Sequence, residues 1–313
     1  MVESFGVSTT KAILGLTLFV LGYGIGPMLW SPMSEVPFIG RNPVYIATLA
    51  VFIVLQVATA KATNYETLMA LRFTAGFFGS PVLATGGATL ADMYTPAKRA
   101  YAISIWGIAA VCGPALGPVV GGFVTEFGPV SSGGPFDAHW TWPIWVLCWL
   151  SAFCLIFLFF LLPETSASNI LFRRSQRLRR LTGNDKLLCQ PEIDAMGMTP
   201  RDIALMCLVH PFTLNFTVSW PVIAYLFDDG QLLMSAYQEP MVFLLNMYLA
   251  LIYGLLYIWL ESFVIVFVEI HHFSLGELGL SYLGMLAGVV VVIPPYFWLV
   301  SQNKLRRGLA LTV

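Results

Sequence analysis

The chain has 313 residues, of which 58% are hydrophobic, 14% aromatic and only 11% charged, with a formal net charge of −1. No single soluble domain buries that much apolar surface, so the composition excludes the water-soluble globular classes and gives an integral membrane protein. The net charge does not point to nucleic acid, and none is expected as a partner.

Apolar runs long enough to cross about 30 Å of hydrocarbon lie at 12–30, 43–60, 66–91, 100–124, 142–162, 240–267 and 278–300, which predicts seven helices. Sorting the basic residues by loop sets the orientation. Arg41, Lys98, Arg99, Arg173, Arg174, Arg177, Arg179, Arg180, Lys186, Arg201, Lys304, Arg306 and Arg307 share one side, against Lys11 and Lys61 on the other. The positive-inside rule then puts the N-terminus outside, the C-terminus inside and 163–211 in the cytosol. The polar start and the end of the first apolar run at Trp30 argue against a cleavable signal peptide. Trp30, Tyr94, Trp140, Trp142, Tyr282 and Trp298 fall near span ends, as interfacial anchors do. The five cysteines lie in apolar runs or in the central polar segment, so neither disulfides nor a metal site is expected.

The first cytosolic loop reads SPMSEVPFIGRNPVYI (31–46). Glu35 there can cap a neighbouring helix and Arg41, after Gly40, can pair across the loop; both are otherwise ordinary solvated charges. Arg72 lies inside the third span, where a charge is a functional candidate, or snorkels outward from about two turns in. Asp92 reads as the local partner of Lys98 and Arg99.

The fourth span carries GPALGPVVGG (113–122). Gly113, Gly117 and Gly121 recur every four residues and line one face with no side chains, which admits a close neighbour. Pro114 and Pro118 each remove a ladder hydrogen bond and predict a bent helix, packed tightly enough to satisfy the freed carbonyls. Paired Gly-Pro steps cost more than a simple packing zipper needs. After the fifth span, LFRRSQRLRRLTGNDK (171–186) is basic and partly amphipathic, an expected anchor on anionic inner-leaflet lipid. On the sixth span, Asn246, Tyr248, Tyr253 and Tyr257 line a broad aromatic cavity or else face lipid and other helices, and Glu261 is a cavity acid or a rim residue. Phosphate loops, Ser-His-Asp arrangements and paired catalytic carboxylates are missing from the sequence, so it supports no enzyme chemistry.

These stretches together resemble one family. The run G-P-x-x-G-P-x-x-G-G, including Gly122, is similar to the antiporter motif of the drug:proton antiporters in the major facilitator superfamily. Loop 31–46 resembles that superfamily's acid and Gly-Arg signature, and 68–100 its fourth helix with a membrane arginine. WTWPIW (140–145), LPET (162–165) and LALIYGLLYIWLESF (249–263) resemble the fungal twelve-span branch of benomyl, methotrexate and fluconazole resistance pumps. The resemblance implies an all-α, partial major facilitator fold and proton-coupled export of small drugs, xenobiotics or toxins across the plasma membrane. It needs no cofactor beyond the proton gradient, and its partners are protons, lipid and small apolar or amphipathic substrates. Glu35, Gly40 and Arg41 become a latch on one access state and Arg72 a part of proton coupling. The glycine face of the fourth span would close on Gly284 and Gly288 of the seventh.

Aligned by motif, the chain is expected to lack the family's first helix and its last four. The implied organisation is an N-terminal bundle (1–162), a basic cytosolic linker (163–211) and an incomplete C-terminal bundle (212–313). Within the last, 218–238 interrupts one continuous family stretch and reads as a retained intron in frame. Two readings from other classes stand beside transport. One is a nontransporting membrane fragment or scaffold. The other is a seven-helix receptor, disfavoured by the absence of an outer-loop cysteine and by Tyr94-Thr95-Pro96 where that architecture carries an arginine.

Overall fold

A segment in hydrocarbon has to satisfy its own backbone hydrogen bonds, and the described residues do so as helix, with no strand among them. The computed structural model describes residues 5–127, 139–184, 186–196 and 240–310. In chain order the helices are α1 (Thr9–Glu35), α2 (Arg41–Ala60), α3 (Tyr65–Gly79), α4 (Pro81–Met93), α5 (Pro96–Phe127) and α6 (Trp142–Leu161). Two shorter ones follow, α7 (Ala167–Thr182) and α8 (Gln190–Met196). Then come α9 (Pro240–Phe263), which runs on into a π-helical segment (Val264–Ile270), α10 (Leu275–Ser281) and α11 (Leu283–Ala310). The segment 218–238 lies outside the described residues.

Helix α2 is central to the first bundle. Its buried residues Val44, Tyr45, Thr48, Phe52, Gln56 and Thr59 recur at three to four positions, the spacing of one helical face, and the helix packs against α3, α4 and α6. The polar members of that stripe are bonded. Thr85 Oγ1 of α4 donates to the Tyr45 hydroxyl at 2.6 Å, which lies 3.0 Å from Thr89 Oγ1. By contrast, α6 and α9 present long rows of exposed apolar side chains, among them Trp149, Phe153, Phe160, Leu251 and Ile258, as lipid-facing helices do.

Among the described residues six helical stretches are long and apolar enough to cross a membrane: Thr10–Glu35, Arg41–Ala60, Lys98–Phe127, Trp142–Leu161, Met247–Ile270 and Leu275–Trp298. The remaining predicted span, 66–91, is not one helix but the pair α3 and α4, broken at Ser80. The reason is Pro81, which has no N–H for the ladder and whose ring excludes the carbonyl four residues back. That carbonyl belongs to Phe77 and is satisfied from two sides, by the Ser80 hydroxyl at 2.8 Å and the Trp30 indole N–H of α1 at 3.1 Å. Trp30, at this span end, thus makes an internal bond. Tyr282 does the same between α10 and α11: it is buried and its hydroxyl donates to Leu260 O at 2.7 Å.

A close backbone approach joins α1 and α3. A Cβ built on Gly22 would sit 2.2 Å from Phe73 O, one on Gly26 would sit 2.4 Å from Phe77 O, and one on Gly76 would sit 2.1 Å from Phe19 O. The paired positions rise together along both helices, so the two run parallel with backbones touching through glycine. Gly24, on another face of α1, has open space around it. Gly22→Ala should therefore push the helices apart and cost about 1–3 kcal/mol, whereas Gly24→Ala should be nearly neutral. Thermal stability of the detergent-purified chain, followed by the loss of the monodisperse peak, measures both; equal stability of the two variants would remove the close contact.

Candidate functional site

The arginine-rich end of the bundle is organised around one carboxylate. Glu164, in the loop between α6 and α7, accepts from the backbone N–H groups of Arg41 at 3.0 Å and Asn42 at 3.3 Å, the exposed N-terminus of α2. It also accepts from its own loop, from Thr165 N–H at 3.1 Å and Ser166 N–H at 3.0 Å. A carboxylate at a helix start both fills orphan donors and meets the positive end of the helix dipole. Gly40 is required here on two grounds. Its φ is +79°, and a Cβ would fall 2.6 Å from Glu164 Oε2 and 2.9 Å from Asn169 Cγ.

Two further bonds close the junction. Asn42 Nδ2 donates to Leu162 O at 2.7 Å, and the buried Asn169 of α7 donates to Pro37 O at 2.7 Å. With its backbone held this way, Arg41 sends its guanidinium to Asp92 at the end of α4, with Nη1 2.7 Å from Oδ2. Arg41 is buried and Asp92 half exposed, so the pair is partly shielded from water.

Several expectations change at this end. Glu35, expected as a cap on a neighbouring helix, is exposed and caps none among the described residues; the acids that meet Arg41 are Asp92, through its side chain, and Glu164, through its backbone. The cause is the turn of 36–40, which starts α2 beside α4 and the 162–166 loop and leaves Glu35 on the outer side. Asp92 is accordingly not the partner of Lys98 and Arg99. Arg99 Nη2 instead donates to Ala91 O at 2.6 Å, closing the α4–α5 turn. Glu164 and Asn169 are the junction residues that sequence spacing does not reveal. Their contacts cross more than a hundred residues, and the only signal was LPET as a family resemblance.

Arg72 lies on α3, two turns from its start and half-buried. Among the described residues no carboxylate comes within ion-pair distance of it.

The opposite end is closed by glycine and one acid. Glu126, in the last turn of α5, accepts from Gly276 N–H of α10 at 2.8 Å. Beside it a Cβ on Gly122 would fall 2.2 Å from Leu275 O, and one on Gly279 would fall 2.8 Å from Pro118 O. The glycine motif thus does meet the last span, but not through the predicted face. Gly113, Gly117 and Gly121, like Gly284 and Gly288, have nothing within 4 Å of a Cβ position. The contact is offset because the last span begins as the short helix α10, interrupted at Tyr282, and it is α10 that lies against 118–122. Helix α5 is continuous through Pro114 and Pro118.

Two clefts separate the bundles where they do not touch. One, of about 510 Å³ between α1 and α9, is lined by Ile13, Leu16, Val20, Tyr257 and Glu261. The other, of about 580 Å³ between α5 and α11, is lined by Ser104, Gly107, Val111, Gly288, Val292 and Phe297. Tyr257 and Glu261 are therefore brought to a cavity. Tyr248 and Tyr253 do not line it and are 60% and 52% exposed. The side chain of Asn246 falls outside the described residues.

Comparison with protein families matches residues 1–313 to the Major Facilitator Superfamily. The chain is 39% identical over 295 residues to a transporter of Schizosaccharomyces pombe, which covers 94% of this chain and 50% of that protein. It is 37% identical over 311 residues to the cycloheximide resistance protein of Candida maltosa (98% and 51%). It is 35% identical over 289 residues to fluconazole resistance protein 1 of Saccharomyces cerevisiae (92% and 47%). The chain spans about half the length of the curated relatives it matches. No solved structure matches it.

Removing the Glu164 carboxylate leaves the first N–H groups of α2 without their partner, a loss of about 1–3 kcal/mol. In Glu164→Ala the amides of Arg41, Asn42 and Ser166 should exchange with deuterium about tenfold faster or more, while that of Gly276 is unchanged. Equal exchange in the variant and the parent would show that Glu164 does not hold the junction.

Proposed function

The chain belongs to the major facilitator superfamily, and from that premise we propose that it supplies the substrate-moving bundles of a proton-coupled exporter of small, mostly apolar drugs or toxins. The observation that carries the reading is the pair of junctions at opposite ends of the spans. One is the Glu164–Arg41–Asp92 cluster, the other the Glu126, Gly122 and Gly276 contact between bundles. Alternating access requires contacts that close one end while the other opens, with substrate held between repeats near the bilayer midplane. The second junction joins α5 to α10 across the bundle boundary and is of the kind that must break when access switches.

In this reading Arg41, Gly40 and Glu164 hold the cytosolic end, with Glu35 as a solvated loop charge. Gly113, Pro114, Gly117, Pro118, Gly121 and Gly122 form the antiporter stretch, of which Gly122 makes the contact in this state and the open glycine face is free for another. Arg72 is the proton-coupling residue, because a cation held half-buried, with no carboxylate partner among the described residues, is a group whose environment a moving proton would alter. Tyr257 and Glu261 line the substrate path, Glu261 meeting the basic or polar end of an otherwise apolar molecule. The resistance relatives support drugs as the cargo class, since their names refer to cycloheximide, fluconazole and multidrug transport. The working place is the fungal plasma membrane. Segment 218–238 is an intron retained in frame, and export belongs to the chain without it.

A chimera tests this directly. The matching half of the Candida maltosa cycloheximide resistance protein is replaced by this chain, with and without 218–238, in a drug-sensitive yeast. The chimera lacking 218–238 should restore growth on cycloheximide and lower its accumulation, and an uncoupler should abolish both effects. Gly122→Leu should reduce export at least tenfold with insertion unchanged, and Gly24→Ala, on a face with open space around it, should leave it near the parent level. Chimeras inserted at the parent's level with no gradient-dependent export would overturn the proposal.

A further inference from the structure

Helix α7 is amphipathic, yet it is turned the opposite way from a helix packed on a soluble core. Its inward side is polar. Asn169 and Ser175 are buried, Asn169 bonds to Pro37 O, and Arg179 pairs with the buried Glu192 of α8 while its Nε donates to Leu187 O at 2.7 Å. A single ring contact, Phe172 edge-on to Phe38 at 5.1 Å, adds apolar area to that side.

The outward side carries Ile170, Leu171, Leu178 and Leu181, exposed by 48%, 46%, 43% and 83%. At 100° per residue these four fall within about a third of the helix circumference, with Arg174 among them. Arg173, Arg177 and Arg180 fall along one edge of the same strip, and all four arginines are exposed. The helix begins six residues after the end of the membrane helix α6, with Ser166 capping it and Gly183 ending it in the left-handed region at φ +66°. It is thus a defined element tied to the cytosolic end of the bundle.

We propose that the outward face of α7 is a binding surface for anionic phospholipid of the cytosolic leaflet, with the four leucine and isoleucine side chains in the acyl boundary and the arginines on headgroup phosphates. The inference rests on the membrane reading of the chain and not on what the chain exports. Among the described residues these apolar side chains find no protein partner, while the bilayer surface a few residues away supplies both an apolar layer and negative charge. Arginine suits it because its fork binds phosphate oxygens in pairs and its stem lies along apolar surface. By tying Asn169 to the 36–40 turn, a lipid-held α7 also fixes the junction around Glu164.

The test uses the full chain in nanodiscs of phosphatidylcholine, alone or with one third phosphatidylserine. A fluorophore at Leu181→Cys, with the native cysteines replaced by alanine, is quenched either by an acyl-chain nitroxide or by an aqueous nickel chelate. The ratio of lipid to aqueous quenching should be at least fivefold higher in the anionic discs, since each arginine near such a surface contributes about a fivefold preference. It should fall in high salt. R173Q/R174Q/R177Q/R180Q should erase the difference. In the unlabelled chain, trypsin should cut between 173 and 181 several times more slowly in anionic discs, a readout free of labelling. Equal ratios and equal cleavage in both discs would overturn the proposal. So would protection produced in phosphatidylcholine discs by soluble glycerophosphoserine, or a label shielded from both quenchers, which would place a protein against this face. Failure of the chain to enter either disc would overturn the membrane reading with it.

Discussion

Four backbone N–H groups converge on the Glu164 carboxylate, two from the start of α2 and two from its own loop. A helix that starts at the membrane surface leaves its first amides without intrahelical partners, and a single anion answers this for α2 while tying residue 164 to residue 41. Much else follows from that tie. The guanidinium of Arg41 can reach Asp92 because its backbone is fixed, the loop is narrow enough that position 40 must be glycine, and α7 is seated where Asn169 meets the 36–40 turn. The junction joins the first bundle's entry helix to the linker, so disturbance of one is felt by the other.

Away from that end, association of the spans depends on close backbone approach. Lipid is as apolar as leucine, so burying leucine between two helices gains little, and contact has to come from packing at short range. The chain provides this at two glycine seams, α1 against α3 and α5 against α10. They differ in kind. The first lies within one bundle and interleaves glycines along several turns, whereas the second joins two bundles over a few residues with one carboxylate bond, Glu126 to Gly276. A long seam resists sliding, whereas a short one parts more readily.

Prolines and charges inside the spans follow the same rule of local satisfaction. Pro81 would leave Phe77 O bare, and Ser80 and Trp30 fill it. Arg72 remains without a carboxylate among the described residues, and Glu261 opens on a largely apolar cleft.

Composition, the length of the apolar runs and the placement of lysine and arginine by themselves determined that this is a multi-span helical membrane protein, and its motifs named its superfamily. Those properties are additive along the chain, so no folding was needed to read them. That the glycine motif reaches the last span was implied by the family resemblance. Which glycine touches was not, since the break at Tyr282 and the offset of α10 moved the contact to Gly122 and left Gly113, Gly117 and Gly121 open. Likewise Arg41 was visible as a loop charge, while its true partners Asp92 and Glu164 lie 51 and 123 residues away. Pairing of charges and carbonyls across such separations is decided by how helices cross in space, and only the tertiary structure carries that information.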